Sequence, residues 1–250
     1  MNSNRELEGH VAVVTGGTRG IGAAISEALL EEGCIVHALY QSNEDAARAL
    51  ADRCARFEGK LFTQKVDVAD HAAVEAFWNE MDALAGSGVQ ILVNNAGIRR
   101  DAIVGSMKVS DWQRVIDVNL TGSFSMSKFA VLNMMRRRYG RIVMITSPAA
   151  EQGFQGQAAY AASKAGQQGL MRSLAREVAK RKITVNCVSP GFIETELIAD
   201  LTPEQKAEYL AMVPLNRFGT AAEVAHAVLM LCSPRSAYIH GTTLEVTGGL

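Results

Sequence analysis

His10-Val11-Ala12-Val13-Val14-Thr15 runs without a break into Gly16-Gly17-Thr18-Arg19-Gly20-Ile21-Gly22. The first half is a short apolar, β-branched stretch that reads as a strand. The second half is a glycine-rich turn leading into a helical pattern over Ile21–Glu32. A strand that passes through glycines into a helix is suited to binding phosphate. The glycines let the backbone approach an anion, and the first helical turn offers N–H groups with no partner of their own. The spacing, T-G-x-x-x-G-I-G, differs from the G-x-G-x-x-G dinucleotide fingerprint. Taken alone, these residues can equally form a turn that binds nothing.

Outward from this stretch the same alternation repeats. Ile35–Tyr40, Leu61–Val66, Ile91–Asn94, Arg141–Ile145, Thr184–Val188 and Thr243–Val246 read as further strands. Glu44–Phe57, Ala72–Leu84, Asp111–Arg138, Ala158–Arg181 and Ala221–Leu231 read as helices. The strand segments are continuous apolar runs, as expected when helices cover both faces of a sheet. The prediction is an α/β fold: one Rossmann-type, doubly wound parallel sheet of seven strands, in a single domain over 1–250. The least regular part, Pro190 to Thr220, is a candidate substrate lid. It holds one short helix, with Thr202 as N-cap and Pro203 at the first position.

The chain has 250 residues, 48% of them hydrophobic, enough for one well-buried core, and a formal net charge of −1. That balance argues against a nucleic-acid or membrane partner. The N-terminal segment lacks the apolar core of a signal peptide, and no apolar run approaches the ~20 residues of a membrane span. The expectation is a soluble, cytoplasmic protein. Cys34, Cys54, Cys187 and Cys232 are scattered with no histidine at ligand spacing, so reduced thiols and no metal site are expected.

The end of the second strand selects the cofactor. A carboxylate there would bind a ribose 2′-hydroxyl. Here the residues are Leu39-Tyr40-Gln41-Ser42, with no acid to repel a 2′-phosphate. Arg19 could pair with that phosphate. Glu44 and Asp45 are read as first-turn acids of the next helix, capped by Ser42 or Asn43. The expected cofactor is NADP(H), with Gln41 and Ser42 near its adenosine end. Asp67-Val68 follows the third strand, and Asp67 could accept from the adenine amino group or simply lead the next helix. Asn94-Asn95-Ala96-Gly97 ends the fourth strand, with Asn94 expected to be structural and Asn95 nearer the ligand.

Tyr160 and Lys164 are four residues apart in a helical segment and share one face. A free tyrosine has a pKa of ~10, and a neighbouring ammonium would lower it toward a useful acid/base range. Ser147 lies just past the fifth strand, where strand ends face a ligand crevice. Its hydroxyl could polarise a substrate carbonyl. Asn119 is unfavourable inside a helix and could hold a water near Lys164. Each of these residues also has an ordinary reading: an amphipathic pair, a turn serine before Pro148, a solvated amide.

Together the TGGTRGIG turn, Asp67, the NNAG segment, Asn119, Ser147, Tyr160-x-x-x-Lys164 and Pro190-Gly191 resemble the short-chain dehydrogenase/reductase family, in family order over essentially the whole chain. The resemblance implies a catalytic tetrad of Asn119, Ser147, Tyr160 and Lys164. It implies that Gly16, Thr18, Arg19, Gly20, Ile21 and Gly22 hold the pyrophosphate. Asp67, Val68, Asn95, Ala96 and Gly97 would line the cofactor, and Pro190, Gly191 and Ile193 its nicotinamide end. The reaction implied is hydride transfer from NADPH to a carbonyl carbon, with Tyr160 donating a proton to the oxygen.

Within the family the chain is similar to bacterial 3-oxoacyl-[acyl-carrier-protein] reductases. Asn95-Ala96-Gly97-Ile98, Met134 to Arg141, Ala161 to Gly166, Arg176 to Ala179 and Pro190 to Thr195 carry that similarity. It implies a 3-oxoacyl thioester on acyl carrier protein as substrate, in fatty-acid or polyketide-like synthesis. It also implies carrier docking at Arg138 and Arg181. These lie in two basic groups, Arg136-Arg137-Arg138 with Arg141 and Lys180-Arg181-Lys182, which could instead only offset helix dipoles. A homotetramer is implied too, with Asp111–Arg138 and Ala158–Arg181 at one interface and the last strand with Ala221–Leu231 at the other. Reduction of a free small ketone, sugar or sterol, or non-catalytic NADP binding, are the other readings. Pro148, after the catalytic serine, departs from the family pattern.

Overall fold

The computed structural model describes residues 5–83, 88–195 and 202–250. The strands are β1 (Val11–Thr15), β2 (Ile35–Tyr40), β3 (Leu61–Lys65), β4 (Ile91–Asn94), β5 (Gly140–Ile145), β6 (Ile183–Pro190) and β7 (Thr243–Val246). They form one sheet in the order β3-β2-β1-β4-β5-β6-β7, with every pairing parallel. The winding direction reverses between β1 and β4. The crevice beyond their carboxyl ends is where such a sheet takes its ligand.

The helices are α1 (Gly20–Glu31), α2 (Glu44–Arg53), α3 (His71–Ala83), α4 (Val109–Ile116), α5 (Gly122–Arg137), α6 (Ala149–Gln152), α7 (Ala158–Val178), α8 (Pro203–Ala211) and α9 (Ala221–Cys232). Successive strand residues point to opposite faces, and the core divides accordingly. Ala12 and Val14 pack with Ile25, Leu29 and Val228 of α1 and α9. Val13 packs on the other face with Trp78, Met126 and Met171 of α3, α5 and α7. β6 is buried along its whole length, which explains why its sequence shows no alternation.

Strand positions match the sequence reading to within a residue or two. β6 is longer than Thr184–Val188 because its register with β7 runs on to Pro190, opposite Val246. Three helices differ. Asp111–Arg138 is not one α-helix: α4 and α5 are separated by a π turn over Asp117–Thr121. Glu44–Phe57 ends at Arg53, and Ala158–Arg181 ends at Val178, followed by a 3-10 turn and Lys182 at φ +59. Leu84, the expected end of α3, and 196–201 of the expected lid lie outside the described residues. α6 was not anticipated. Pro148 opens it, with φ −54 and ψ −24, a position that suits a residue without an N–H.

Thr202 caps α8 in a full capping box with Gln205, and Thr220 does the same for α9 with Glu223. All four cysteines are free and buried, and burial pushes the thiols of Cys34, Cys187 and Cys232 up to about 12. Among the described residues no helix is long and apolar enough to cross a membrane.

Candidate active site

The floor of the crevice is tied together by side chains from β1 and β4. Thr15 Oγ1 accepts from the N–H groups of Asn95 (3.0 Å) and Ala96 (2.9 Å). Asn95 Nδ2 donates to the carbonyls of Thr15 and Gly16, each at 3.0 Å. Asn95 therefore braces the glycine turn with its side chain. Asn94 is buried and donates to Ser127 Oγ at 3.0 Å. The turn has no room for larger residues. Gly16 has φ +59, and a Cβ on Gly22 would stand 2.1 Å from Gly16 O and 2.5 Å from Asn95 Nδ2. α1 then starts with no side-chain cap and no acid in its first turn. Its first N–H groups are left to an anion, as a dinucleotide diphosphate requires.

At the adenosine end, Asn43 is the cap of α2, accepting from Ala46 N at 2.9 Å. The nearby acids are engaged elsewhere: Glu44 pairs with Lys65 at 3.2 Å and Asp45 pairs with Arg48. Asp67 pairs with Arg114 (3.0 Å), accepts from Gln41 Nε2 (3.4 Å) and caps Ala69 N (3.0 Å). A carboxylate has about four acceptor sites, so these three bonds leave capacity for one more donor. Val68 is buried beneath Gly122 at the end of the π turn. A depression of about 350 Å³ lies beside the turn, with Thr18, Arg19 and Gly20 on one wall and Ala46, Ala49 and Arg53 on the other. Sequence reasoning missed Arg53. Its place one helical face on from Ala46 and Ala49 was the available signal. It pairs with Glu27 at 2.8 Å.

Ser147 stands two residues beyond β5, and its Oγ accepts from Ala149 N at 3.2 Å. Tyr160 and Lys164 sit on α7. Burial holds the Tyr160 phenol above its ordinary value, while a hydrogen bond with Ser147 acts in the opposite direction. Lys164 is 3% exposed. It donates to Ile145 O at 2.7 Å, and its Nζ lies 5.6 Å from the Tyr160 ring centroid. Burial lowers its pKa from 10.5 to about 8. Lys164 is not among the groups that shift the Tyr160 phenol: burial raises its pKa and outweighs Ser147 and Arg99, which act to lower it.

Asn119 lies in the π turn and is fully buried. Its Oδ1 accepts from Ile98 N (2.8 Å), and its Nδ2 donates to Ile98 O (3.0 Å) and Ser163 Oγ (2.9 Å). Its own carbonyl accepts from Ser123 and Gln167. The carboxamide fixes the chain just after Gly97. A Cβ on Gly97 would stand 3.5 Å from both Asn119 Oδ1 and Lys164 Nζ. Pro190 ends β6, Gly191 N donates to Val246 O at 3.0 Å, and Ile193 is buried in a bridge with Gly219.

Arg138 and Arg181 are close together but remote from this crevice. Arg138 (φ +54) donates to Lys180 O at 3.3 Å. Both arginines directly precede strands that run from them toward Ser147 and Pro190. They stand at the amino edge of the sheet, with the length of β5, ~20 Å, between them and the catalytic side chains.

Comparison with known proteins bears on this arrangement. A family model described as Enoyl-(Acyl carrier protein) reductase matches residues 16–250. The chain is 46% identical over 245 residues to the 3-oxoacyl-[acyl-carrier-protein] reductase of Escherichia coli (strain K12), covering 98% of each. It is 44% identical over 248 residues to Nodulation protein G of Rhizobium sp. (strain N33), again covering 98% of each. A crystal structure provisionally described as a gluconate dehydrogenase from Agrobacterium tumefaciens superposes with a TM-score of 0.93. It is 31% identical and covers 98% of this chain and 97% of that one.

Proposed function

The chain belongs to the short-chain dehydrogenase/reductase family, and from that membership we propose that it reduces the 3-oxo group of an acyl chain carried on acyl carrier protein, in the cytoplasm, with NADPH as reductant. The observation that carries this reading is the convergence of Ser147, Tyr160 and Lys164 at the carboxyl edge of the sheet, in a chain 46% identical over 98% of its length to a 3-oxoacyl-carrier reductase.

Bound in the crevice, the nicotinamide supplies a hydride to the carbonyl carbon. The rest of the chemistry belongs to side chains. Ser147 donates to the carbonyl oxygen and stabilises the charge that develops there. Tyr160 gives its phenol proton to the same oxygen; the raised pKa keeps that proton in place until it is needed. The Lys164 ammonium lies beside the phenolate that results and favours it. Asn119, through Ile98, holds the backbone against which the cofactor rests. A serine and a tyrosine aimed at one oxygen suit a carbonyl better than a carbon–carbon double bond.

The 2′-phosphate preference rests on the absence of a free acid at the end of β2 and on Arg19 beside the depression, where Glu27 is already paired with Arg53. Docking of the acidic carrier at Arg138 and Arg181, and assembly into a homotetramer, complete the reading. Phe124 and Leu132, 49% and 51% exposed on α5, are apolar surface that a second copy would cover.

The test measures oxidation of NADPH and of NADH with a 3-oxoacyl carrier thioester and with a free ketone. NADPH with the carrier thioester is expected to give the highest kcat/KM. A preference for NADH would refute the reading of Arg19 and Gln41, and a preference for the free ketone that of the substrate.

A further inference from the structure

Four aromatic side chains meet at the mouth of the crevice, and the proposed chemistry uses none of them. Phe154 lies between Ser147 and Tyr160, Phe192 follows Gly191, Tyr209 is on α8 and Phe218 precedes α9. Phe192 stacks on Tyr209 with ring centroids 4.7 Å apart and planes 11° apart. Its ring is also 6.3 Å from Phe154 and 6.4 Å from Phe218. Phe154 belongs to the chain that carries the catalytic serine and tyrosine. The other three belong to the segment that follows β6. The Phe154–Phe192 contact therefore joins the two walls of the crevice.

The backbone beneath these rings is fixed. Gly219 N donates to Phe192 O at 2.9 Å, and Glu194 N donates to Gly219 O at 2.8 Å. Ala102 N donates to Gly156 O at 2.9 Å, two residues past Phe154. The capping box at Thr202 sets the start of α8.

A methylene chain lying between two rings needs them ~7–8 Å apart, twice a carbon–carbon contact of ~3.5–4.0 Å. None of the three centroid separations reaches that. Phe154 follows Ser147 and Phe192 follows Gly191 in the chain, so an acyl tail leaving a carbonyl at Ser147 and Tyr160 between these two segments would have to part the rings once long enough to reach them. We infer that Phe154, Phe192 and Tyr209 form a chain-length stop, so that the enzyme takes 3-oxoacyl thioesters with short acyl tails and discriminates against long ones. This rests on the proposed carrier-thioester reaction and specifies its substrate class.

The experiment follows NADPH oxidation by the full-length protein with acetoacetyl and 3-oxododecanoyl groups on acyl carrier protein. It compares the unaltered chain with Phe154→Ala, Phe154→Leu and Tyr209→Ala. In the unaltered chain kcat/KM is expected to be lower for the long acyl group by about ten-fold or more, mostly through KM. Each alanine variant is expected to narrow that ratio by about ten-fold. Phe154→Leu keeps an apolar side chain and falls between, and serves if the alanine variant does not fold. Equal kcat/KM for both acyl groups in the unaltered chain overturns the inference. So does an unchanged ratio in Phe154→Leu and Tyr209→Ala. Oxidation with a free ketone but with neither thioester overturns the carrier-substrate reading, and this inference with it.

Discussion

Burying an ammonium costs free energy that a surface lysine never meets. Lys164 is 3% exposed, and no carboxylate is among the groups acting on its pKa. A fall from 10.5 to about 8 corresponds to a penalty of about 3 kcal/mol while the group is charged. The unfolded chain binds the proton more tightly. The penalty is therefore full below about pH 8 and is relieved as pH rises from there toward the ordinary lysine value. Lys164→Met should abolish reduction yet stabilise the fold by about 1–2 kcal/mol at pH 7, allowing ~1 kcal/mol for the lost bond to Ile145 O. The gain should vanish near pH 10. Denaturant titrations at both pH values check this, and equal stability at pH 7 would refute a buried charge. In the same free enzyme, kcat/KM for reduction should fall as pH passes about 8 and the ammonium loses its proton.

At the scale of elements, the π turn over Asp117–Thr121 matters most. It widens the helix where the side chain of Asn119 turns inward to Ile98. π turns of this kind often mark functional positions. Asn119→Ala would leave the N–H and carbonyl of Ile98 and the Ser163 hydroxyl short of partners. The expected loss is about 2–3 kcal/mol in denaturant unfolding, together with weaker cofactor binding in a fluorescence titration. Asn119→Ala that binds the dinucleotide as tightly as the unaltered chain would show that the crevice does not depend on this brace.

The sequence marks Asn119 as out of place in a helix, but not what it bonds, because Ile98 is distant in the chain. The strands were legible because burial on both faces leaves continuous apolar runs. The Thr202 cap was legible because it is a local bond. Thr220-x-x-Glu223 carried the same signal and passed unread. α6 was hidden behind Pro148, whose restriction suggests a turn as readily as a helix start. Tyr160, Lys164 and Ser147 were legible only as a set in family order. The aromatic cluster was not, since its four residues are far apart in the chain and converge only once the sheet has formed.

On the scale of the whole molecule, the two ends of the sheet have different characters. The carboxyl edge carries the catalytic side chains, and the amino edge carries Arg138 and Arg181. If carriers dock at the amino edge, Arg138→Glu with Arg181→Glu should raise KM for the carrier-linked thioester by about ten-fold. It should leave the same acyl group on a small thiol unaffected, and the difference should shrink in high salt. Unchanged kinetics with the carrier substrate would remove these arginines from the docking surface.

The burial of the four cysteines has a practical consequence. Thiolates are the reactive species, and buried thiols pushed up to about 12 supply almost none near neutral pH. Cys54, though its shift is smaller, is also buried. The chain is therefore a silent background for thiol chemistry. One cysteine introduced on the exposed side of α8 would accept a fluorophore or spin label by itself, and would report the movement of that helix during turnover without removal of any native residue.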